Sequence, residues 1–442
     1  MSKIVLLDRY YIPKELLATD DLWRQFQYSF EDYGTVTIVK NFSWIKNYFV
    51  VPSGSWHKIA SAVKDTEVID KRELCTFPEF PPFTGTLYEN QLKVVDEFLK
   101  IPSKSGFIHS KPGSGKTVMA CKILSELKQR FLVIVPTSLL LEQWKERLET
   151  FNPGIKVARL GLGHDAFDPE VHHGLIAIIN SLRAPDKIEK YRTMFGAIVL
   201  DEAHRLPANT YKETINKLSA VYKIGLSANT TRKDLRHVMI EDYLGPHCVV
   251  NTDPTVWQAE VHIINTGFPF MFNSSMNWSR TLNAVCGNPE YNKFIAQRVH
   301  RDLIRGRKVA VLTPRLFQIE ELLPLLDGTR VGIITGSVKQ DERNKIIEQV
   351  NAGLLDVLLC SKQIFEEGVD IKRLDTIHLV APSNNIEKLE QAIGRVERVY
   401  ADKQPPRVYD YWFIATTPNS YWNQQKIRLE FYKERGYHIV MT

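Results

Sequence analysis

The sequence predicts an α/β protein in which two parallel-sheet domains follow one another behind a small α+β N-terminal domain. Three observations lead there. Short apolar runs rich in β-branched residues recur between helix-length polar segments, the pattern of strands buried on both faces of a parallel sheet. The runs come in two series, before and after residue 258 or so. Only the first series contains a glycine-rich turn, Ser110-Lys111-Pro112-Gly113-Ser114-Gly115-Lys116-Thr117, set between an apolar run and a helix-like stretch.

Residues 1–83 read as a separate small domain. Thr35 to Val39 and Tyr48 to Val51 are strand-like, and Trp56 opens a short helix. The aromatics Tyr10, Tyr11, Trp23, Phe26, Tyr28 and Phe30 are expected in its core rather than on bases. The segment Phe77-Pro78-Glu79-Phe80-Pro81-Pro82-Phe83 ends the domain, since prolines so close together continue neither a helix nor a central strand. Residues 84–258 carry Phe107-Ile108, Phe131 to Val135, Leu175 to Ile179 and Ala197 to Leu200. Residues 259–442 carry Val309 to Leu312, Val331 to Ile334, Val357 to Cys360 and Thr376 to Val380. The natural arrangement is one domain holding a ligand and the other facing it.

The 442 residues suffice for two or three cores, and 44% hydrophobic with 24% charged residues is an ordinary globular composition. A net charge of +6 permits a polyanionic partner without demanding one, and residues 1–83 are balanced, with ten Lys/Arg against eleven Asp/Glu. The five cysteines are scattered, with no C-x-x-C pair, which argues against a disulfide framework or a zinc site and fits a reducing cytoplasm. No run of 18 apolar residues occurs, so no membrane span is expected. His164, His172 and His173 have no metal-ligand spacing and are expected as solvated loop side chains.

The glycine-rich turn has the parts a triphosphate needs. Unpaired N–H groups at a helix N-terminus, the Lys116 charge and the Thr117 hydroxyl for Mg²⁺ suit an extended polyanion, and Gly113, Ser114 and Gly115 let the backbone wrap it. The usual pattern opens on Gly or Ala six residues before the lysine, where Ser110 stands. ATP and Mg²⁺ are the expected cofactors. Asp201-Glu202-Ala203-His204 directly follows the run Ala197 to Leu200, at the strand end where α/β sheets place ligands. There the two carboxylates divide labour, Asp201 holding Mg²⁺ and Glu202 orienting and deprotonating the attacking water. Arg395 and Arg398, three apart in a helical stretch, share one face and suit a charge that develops on a γ-phosphate.

In this order the elements resemble those of the superfamily 2 helicases, over roughly residues 87 to 442. Leu87-Tyr88-Glu89-Asn90-Gln91 looks like the Q motif, which implies that Gln91 reads adenine, with Glu89 where the family often has Arg. Val135 to Trp144 is similar to motif Ia and Ile179 to Arg183 to motif Ic. Ser227-Ala228-Asn229-Thr230 stands at motif III, with Asn where Thr is usual. Leu312 to Arg315 resembles motif IV, Ser361 to Asp370 motif V, and Gln391 to Arg398 motif VI. The resemblance implies two RecA-like domains, catalysis by Lys116, Asp201, Glu202, Arg395 and Arg398, and further nucleotide contacts from Gly368 and Asp370. It implies nucleic-acid contacts from Thr137, Arg183, Thr313 and Ser361, and coupling through His204, Ser227 and Gln391. Leu141-Glu142-Gln143-Trp144, the Asn288 to Arg298 helix and Lys426 to Lys433 look most like the XPB-related group, more narrowly like phage branch-migration helicases of the UvsW type.

The expectation is therefore an ATP-dependent DNA helicase remodelling forks and four-way junctions, monomeric and cytoplasmic, in the host cytoplasm if phage-encoded. Runners-up of the same chemistry are a double-stranded DNA translocase without strand separation and an RNA helicase. A nucleotide-gated binding module without hydrolysis fits poorly with the intact Lys116, Glu202, Arg395 and Arg398. Phe268 to Phe272 with Trp278 suggests packing between domains, or a wedge that splits a duplex.

Overall fold

A computed structural model describes residues 3–18, 21–32, 35–63, 66–77, 79–228, 236–251, 257–269, 278–362, 365, 371–381, 383, 385–400, 402–414 and 420–442. Asn229, Thr230, Phe270 to Phe272 and Glu367 to Asp370, with the expected nucleotide contacts Gly368 and Asp370 among them, lie outside the described residues. The chain forms two compact units, one built from Met1–Lys111 with Gly115–Asp253 and the other from Pro112–Ser114 with Pro254–Thr442.

The first unit begins with seven short strands: β1 (Ile4–Leu6), β2 (Arg9–Pro13), β3 (Gln27–Asp32), β4 (Thr35–Lys40), β5 (Ser43–Ile45), β6 (Tyr48–Pro52) and β7 (Val68–Asp70). Five of them form a sheet in the order β5-β6-β2-β1-β7, and β3 with β4 makes a separate hairpin. Ile4, Ile12, Phe26, Phe49 and Ile59 fill the core of this part. Tyr10, Phe26 and Phe30 are buried, as small-domain core residues should be. A four-residue helix, Trp56–Ile59, follows β6.

The proline-rich stretch after β7 packs on the next sheet. Phe80 lies inside that sheet's core, with Phe77 and Phe83 against it. The sheet itself has eight strands: β8 (Gly106–His109), β9 (Phe131–Val135), β10 (Val157–Gly161), β11 (His164–Asp165), β12 (Gly174–Ile178), β13 (Ala197–Asp201), β14 (Tyr222–Ser227) and β15 (Cys248–Val250). Their order is β11-β10-β12-β9-β13-β14-β8-β15. All pair in parallel except β10 with β11. Every residue of β9 and β13 is buried, which is why these runs read as continuous rather than alternating.

The second unit is a seven-stranded, wholly parallel sheet: β16 (Glu260–Pro269), β17 (Val309–Thr313), β18 (Val331–Ile334), β19 (Val357–Ser361), β20 (Thr376–Leu379), β21 (Arg407–Ile414) and β22 (His438–Met441). Its order is β18-β19-β17-β20-β21-β16-β22. The architecture is thus two tandem RecA-like α/β domains behind an N-terminal domain.

Two expectations need correction. His173 is not solvated: it is buried between the rings of Phe77 and Phe80, and its Nδ1 accepts the Lys156 N–H at 3.0 Å. Phe268 packs on Tyr291 and Phe294 inside the second unit, with Trp278 against the same core. Arg395 and Arg398 do not share a helical face. The helix Ile386–Val396 ends one residue after Arg395, and Arg398 lies in the turn beyond the C-cap Glu397. Two contacts draw the chain out of the helix there: the Glu397 carboxylate accepts the Ala259 N–H at 3.0 Å, and Lys403 Nζ donates to the Arg398 carbonyl at 2.8 Å.

Candidate nucleotide and nucleic-acid site

The loop after β8 runs straight into the helix Lys116–Leu127, with Gly115 as N-cap. Gly115 has φ +86°, a backbone conformation that favours glycine, and a Cβ there would stand 2.4 Å from Gln91 Nε2, so the end of that side chain would have to shift. Lys116 Nζ donates to the Ser110 carbonyl at 3.0 Å and to the Lys111 carbonyl at 3.2 Å, which keeps the ammonium within the curl of its own loop. The helix N-terminus and this ammonium together make an anion site.

Ser110 is explained by a neighbour the sequence did not reveal. Its buried hydroxyl accepts from Asn251 Nδ2 at 2.8 Å, and Asn251 Oδ1 accepts from Asn90 Nδ2 at 3.0 Å. A Gly or Ala there would leave the Asn251 amide without that acceptor. Gln91, also buried, spends its Oε1 on the Tyr88 N–H at 3.0 Å, capping the helix Glu89–Lys100, while its Nε2 faces Gly115.

Two strands away in the same sheet, β13 delivers Asp201 and Glu202. Asp201 is buried, and both of its oxygens are engaged: Oδ2 accepts the Trp144 indole N–H at 2.8 Å and Oδ1 accepts the Glu202 N–H at 3.0 Å. Glu202 has φ +53°, a left-handed conformation that a non-glycine residue adopts at a cost of about 1–3 kcal/mol and that collects at functional sites. Its Oε2 lies 3.2 Å from His204 Nδ1, and the same nitrogen is 2.8 Å from the buried Ser227 Oγ at the end of β14. Burial and the Glu202 charge push the Asp201 carboxyl above its ordinary value. For Glu202, burial pulls upward, but the His204 hydrogen bond and the His204 and Lys116 charges outweigh it and hold the carboxyl below its ordinary value. The two neighbouring carboxyls are therefore pushed in opposite directions by their surroundings, a perturbation that collects at functional sites.

Thr117 and Asp201 offer hard oxygen donors. Mg²⁺ at a phosphate site takes only one or two ligands of this kind from protein, the rest coming from phosphate and water, so the donor set fits. Among the described residues no cluster of three or more His, Cys, Asp or Glu side chains is placed to hold a metal by itself.

The residues expected at nucleic acid fall into three groups. Thr137 caps the helix Ser138–Phe151, its side chain accepting the Leu140 N–H at 3.4 Å, and Arg183 caps the helix Ile179–Leu182; in the first unit Thr137 is half-buried and Arg183 is exposed. Ser361 is half-buried at the end of β19. Thr313 is fully buried, and its hydroxyl is taken up by Gln318 and the Arg315 backbone, so it shapes its turn rather than facing outward. The basic group at that turn is Arg315, held by Asn283 at 2.6 Å and Ser279 at 2.9 Å. In the second unit, Arg395 is buried with its guanidinium 5.8 Å from the Phe365 ring centre, and Gln391 is half-buried one turn earlier on the same helix.

Sequence reasoning used Trp144 only as a mark of resemblance and missed its hydrogen bond to Asp201. It also missed Asn251 altogether. The odd Ser110 was the only signal that a polar partner stood nearby.

Two family models match: "Type III restriction enzyme, res subunit" over residues 84–232, and "Helicase conserved C-terminal domain" over residues 293–400. A probable helicase, D10 of Escherichia phage T5, is 29% identical over 85% of this chain and 81% of its own. A putative ATP-dependent RNA helicase, L396 of Acanthamoeba polyphaga mimivirus, is 25% identical over 81% of this chain and 69% of its own. The DNA 3'-5' translocase XPB2 of Sulfurisphaera tokodaii is 33% identical over 36% of this chain and 34% of its own. No helix among the described residues is long and apolar enough to cross a membrane. With both halves of the motor matched in order, the chain belongs to the superfamily 2 helicases, ATP-dependent enzymes, and resembles their phage and XPB-related members.

Proposed function

We propose that this helicase works on DNA, remodelling forks and four-way junctions by moving along one strand's backbone. The observation that carries the chemistry is the strand order β13-β14-β8, which sets Asp201 and Glu202, Ser227 and the glycine-rich loop at three consecutive strand ends of one sheet. In this reading the Gly113-Ser114-Gly115 backbone, Lys116 and the N-terminus of its helix bind the phosphates of ATP. Gln91, Gly368 and Asp370 contact the rest of the nucleotide. Glu202, ionised because His204 and Lys116 hold its pKa down, orients and deprotonates the attacking water. Arg395 and Arg398 stabilise the charge that develops on the γ-phosphoryl group. Thr117 and Asp201 would hold Mg²⁺, which when bound neutralises phosphate charge.

Coupling runs through His204, whose Nδ1 lies within reach of both Glu202 and Ser227, and through Gln391 on the helix of Arg395. Thr137, Arg183 and Ser361, with Arg315 at the Thr313 turn, grip the nucleic-acid backbone. Binding of this kind is salt-sensitive and indifferent to sequence. Directed motion follows when grip alternates with nucleotide state. The domain division is 1–83, 84–258 and 259–442, and the protein acts as a cytoplasmic monomer. Residues 1–83 bind duplex or junction DNA. Trp44 and Tyr48 are 46% and 40% exposed beside Lys46, a set suited to stacking on bases while meeting phosphate.

A similar protein named as a DNA translocase supports DNA as substrate, and one named as an RNA helicase keeps RNA as the second reading. The deciding experiment is ATP-driven strand separation on a mobile four-way junction, a fork, a tailed DNA duplex and a tailed RNA duplex, with Glu202→Gln protein as control. Preference for junction and fork is expected. Activity confined to RNA, or turnover without separation on any substrate, would replace remodelling with RNA unwinding or duplex translocation.

A further inference from the structure

Trp144 sits on the buried stripe Leu141, Trp144 and Leu148 of the helix Ser138–Phe151, where the leucines on either side already supply apolar filling. A phenylalanine would fill the same place. What tryptophan adds is one N–H, and a buried indole N–H needs an acceptor. It finds Asp201 Oδ2 at 2.8 Å, across 57 residues of sequence. The other oxygen of Asp201 is fixed by the Glu202 N–H at 3.0 Å. One donor on each oxygen sets the rotation of the carboxylate, and about two of its four lone-pair directions are left over. Donors to a charged acceptor make the stronger class of hydrogen bond.

The same helix begins at Thr137, seven residues before Trp144. At about 1.5 Å rise per residue the two are roughly 10 Å apart along one rigid rod of two turns.

We propose that Trp144 is a positioning residue: its indole N–H holds the Asp201 carboxylate in the orientation that Mg²⁺ requires, and the helix it stands on ties that orientation to the nucleic-acid contact at Thr137. This rests on the nucleotide-site reading above. It adds to it a direct mechanical link between the two ligands, carried by one helix within the first unit.

The test uses full-length protein and reads binding as well as turnover. A fluorescent ADP analogue is titrated by anisotropy at rising Mg²⁺ concentration for wild type, Trp144→Phe, Asp201→Asn, the double variant and Leu148→Ala. Partners that orient a metal ligand typically contribute 10–100-fold in metal affinity or activity. Trp144→Phe should therefore raise the Mg²⁺ midpoint by about 10-fold or more. It should leave Mg²⁺-free nucleotide binding unchanged and lower the stimulation of ATP turnover by DNA. In the Asp201→Asn background the same change should add nothing, since a pair that acts together is non-additive. Leu148→Ala, a packing control from the same stripe, should lower the melting temperature without moving the midpoint. The inference is overturned if Trp144→Phe keeps the wild-type midpoint, or if Leu148→Ala moves it equally. If Asp201→Asn also keeps it, the nucleotide-site reading falls and the inference with it.

Discussion

Asp201 and Asp242 are both buried carboxylates of the first unit, and under the proposed function their partners separate a working acid from an anchoring one. Asp242 lies in the short helix Ile240–Leu244 and is saturated by the N-terminal domain. Its carboxylate accepts from the Tyr28 hydroxyl at 2.7 Å, Asn41 Nδ2 at 2.8 Å and Lys58 Nζ at 2.5 Å. Its carbonyl takes the Gly54 N–H at 2.9 Å and the Ser55 hydroxyl at 3.1 Å. Asp201 stands at a strand end, accepts one indole and one amide N–H, and is raised in pKa by burial and by Glu202. A buried charge compensated this fully is structural, because removing a partner leaves charge uncompensated. A buried acid that keeps lone pairs in reserve beside an anion-binding loop is chemical. Burial alone distinguishes nothing; the donors do.

The strongest way to break this contrast is to neutralise each acid in turn. Asp201→Asn should cost ATP turnover about 10²–10⁴-fold, the range for groups in acid–base and charge-stabilising roles, while the melting temperature changes little. A large stability loss with turnover retained would reverse the assignment. Asp242→Ala should do the opposite, destabilising the first unit by about 3–5 kcal/mol in denaturant unfolding, since Lys58 then loses its counter-charge. Limited proteolysis of that variant should cut first within residues 1–83, and resistance equal to wild type would show that the anchor is dispensable.

The smallest effect sharpens the anchoring side. Lys223 on β14 is buried beneath the N-terminal domain, with Nζ donating to Ser53 Oγ at 2.6 Å. Burial, helped by the Arg72 charge, lowers its pKa from 10.5 to about 7. Between those two values the unfolded chain holds a proton that the folded chain does not, so stability rises with pH across that window. Denaturant unfolding at pH 7 and pH 9.5 should show this gain in wild type and a flatter profile in Lys223→Met. Equal slopes would mean that Lys223 stays charged in place.

Much of the motor was legible because its signals are local. The runs at Phe131 and Ala197 became β9 and β13, and Ser110 to Thr117 became a turn into a helix, because continuous apolar runs, glycine and capping act within a few residues. The motif order placed Asp201 at a strand end for the same reason. What stayed hidden depends on contacts between residues far apart in sequence. Trp144 meets Asp201, Asn251 meets Ser110 across 141 residues, and Asp242 meets Lys58 across 184. None of these pairs leaves a periodicity to read. The burial of His173 and the exit of Arg398 from its helix likewise follow from tertiary partners, Phe77 and Phe80 in one case and Lys403 in the other.

The most direct measurement of the central claim is single-turnover hydrolysis of pre-bound ATP by Glu202→Gln protein in the presence of DNA. The account predicts that ATP binds with near wild-type affinity and stays uncleaved over many wild-type turnover times. Cleavage at the wild-type rate would contradict it, placing the base that activates water elsewhere in the chain.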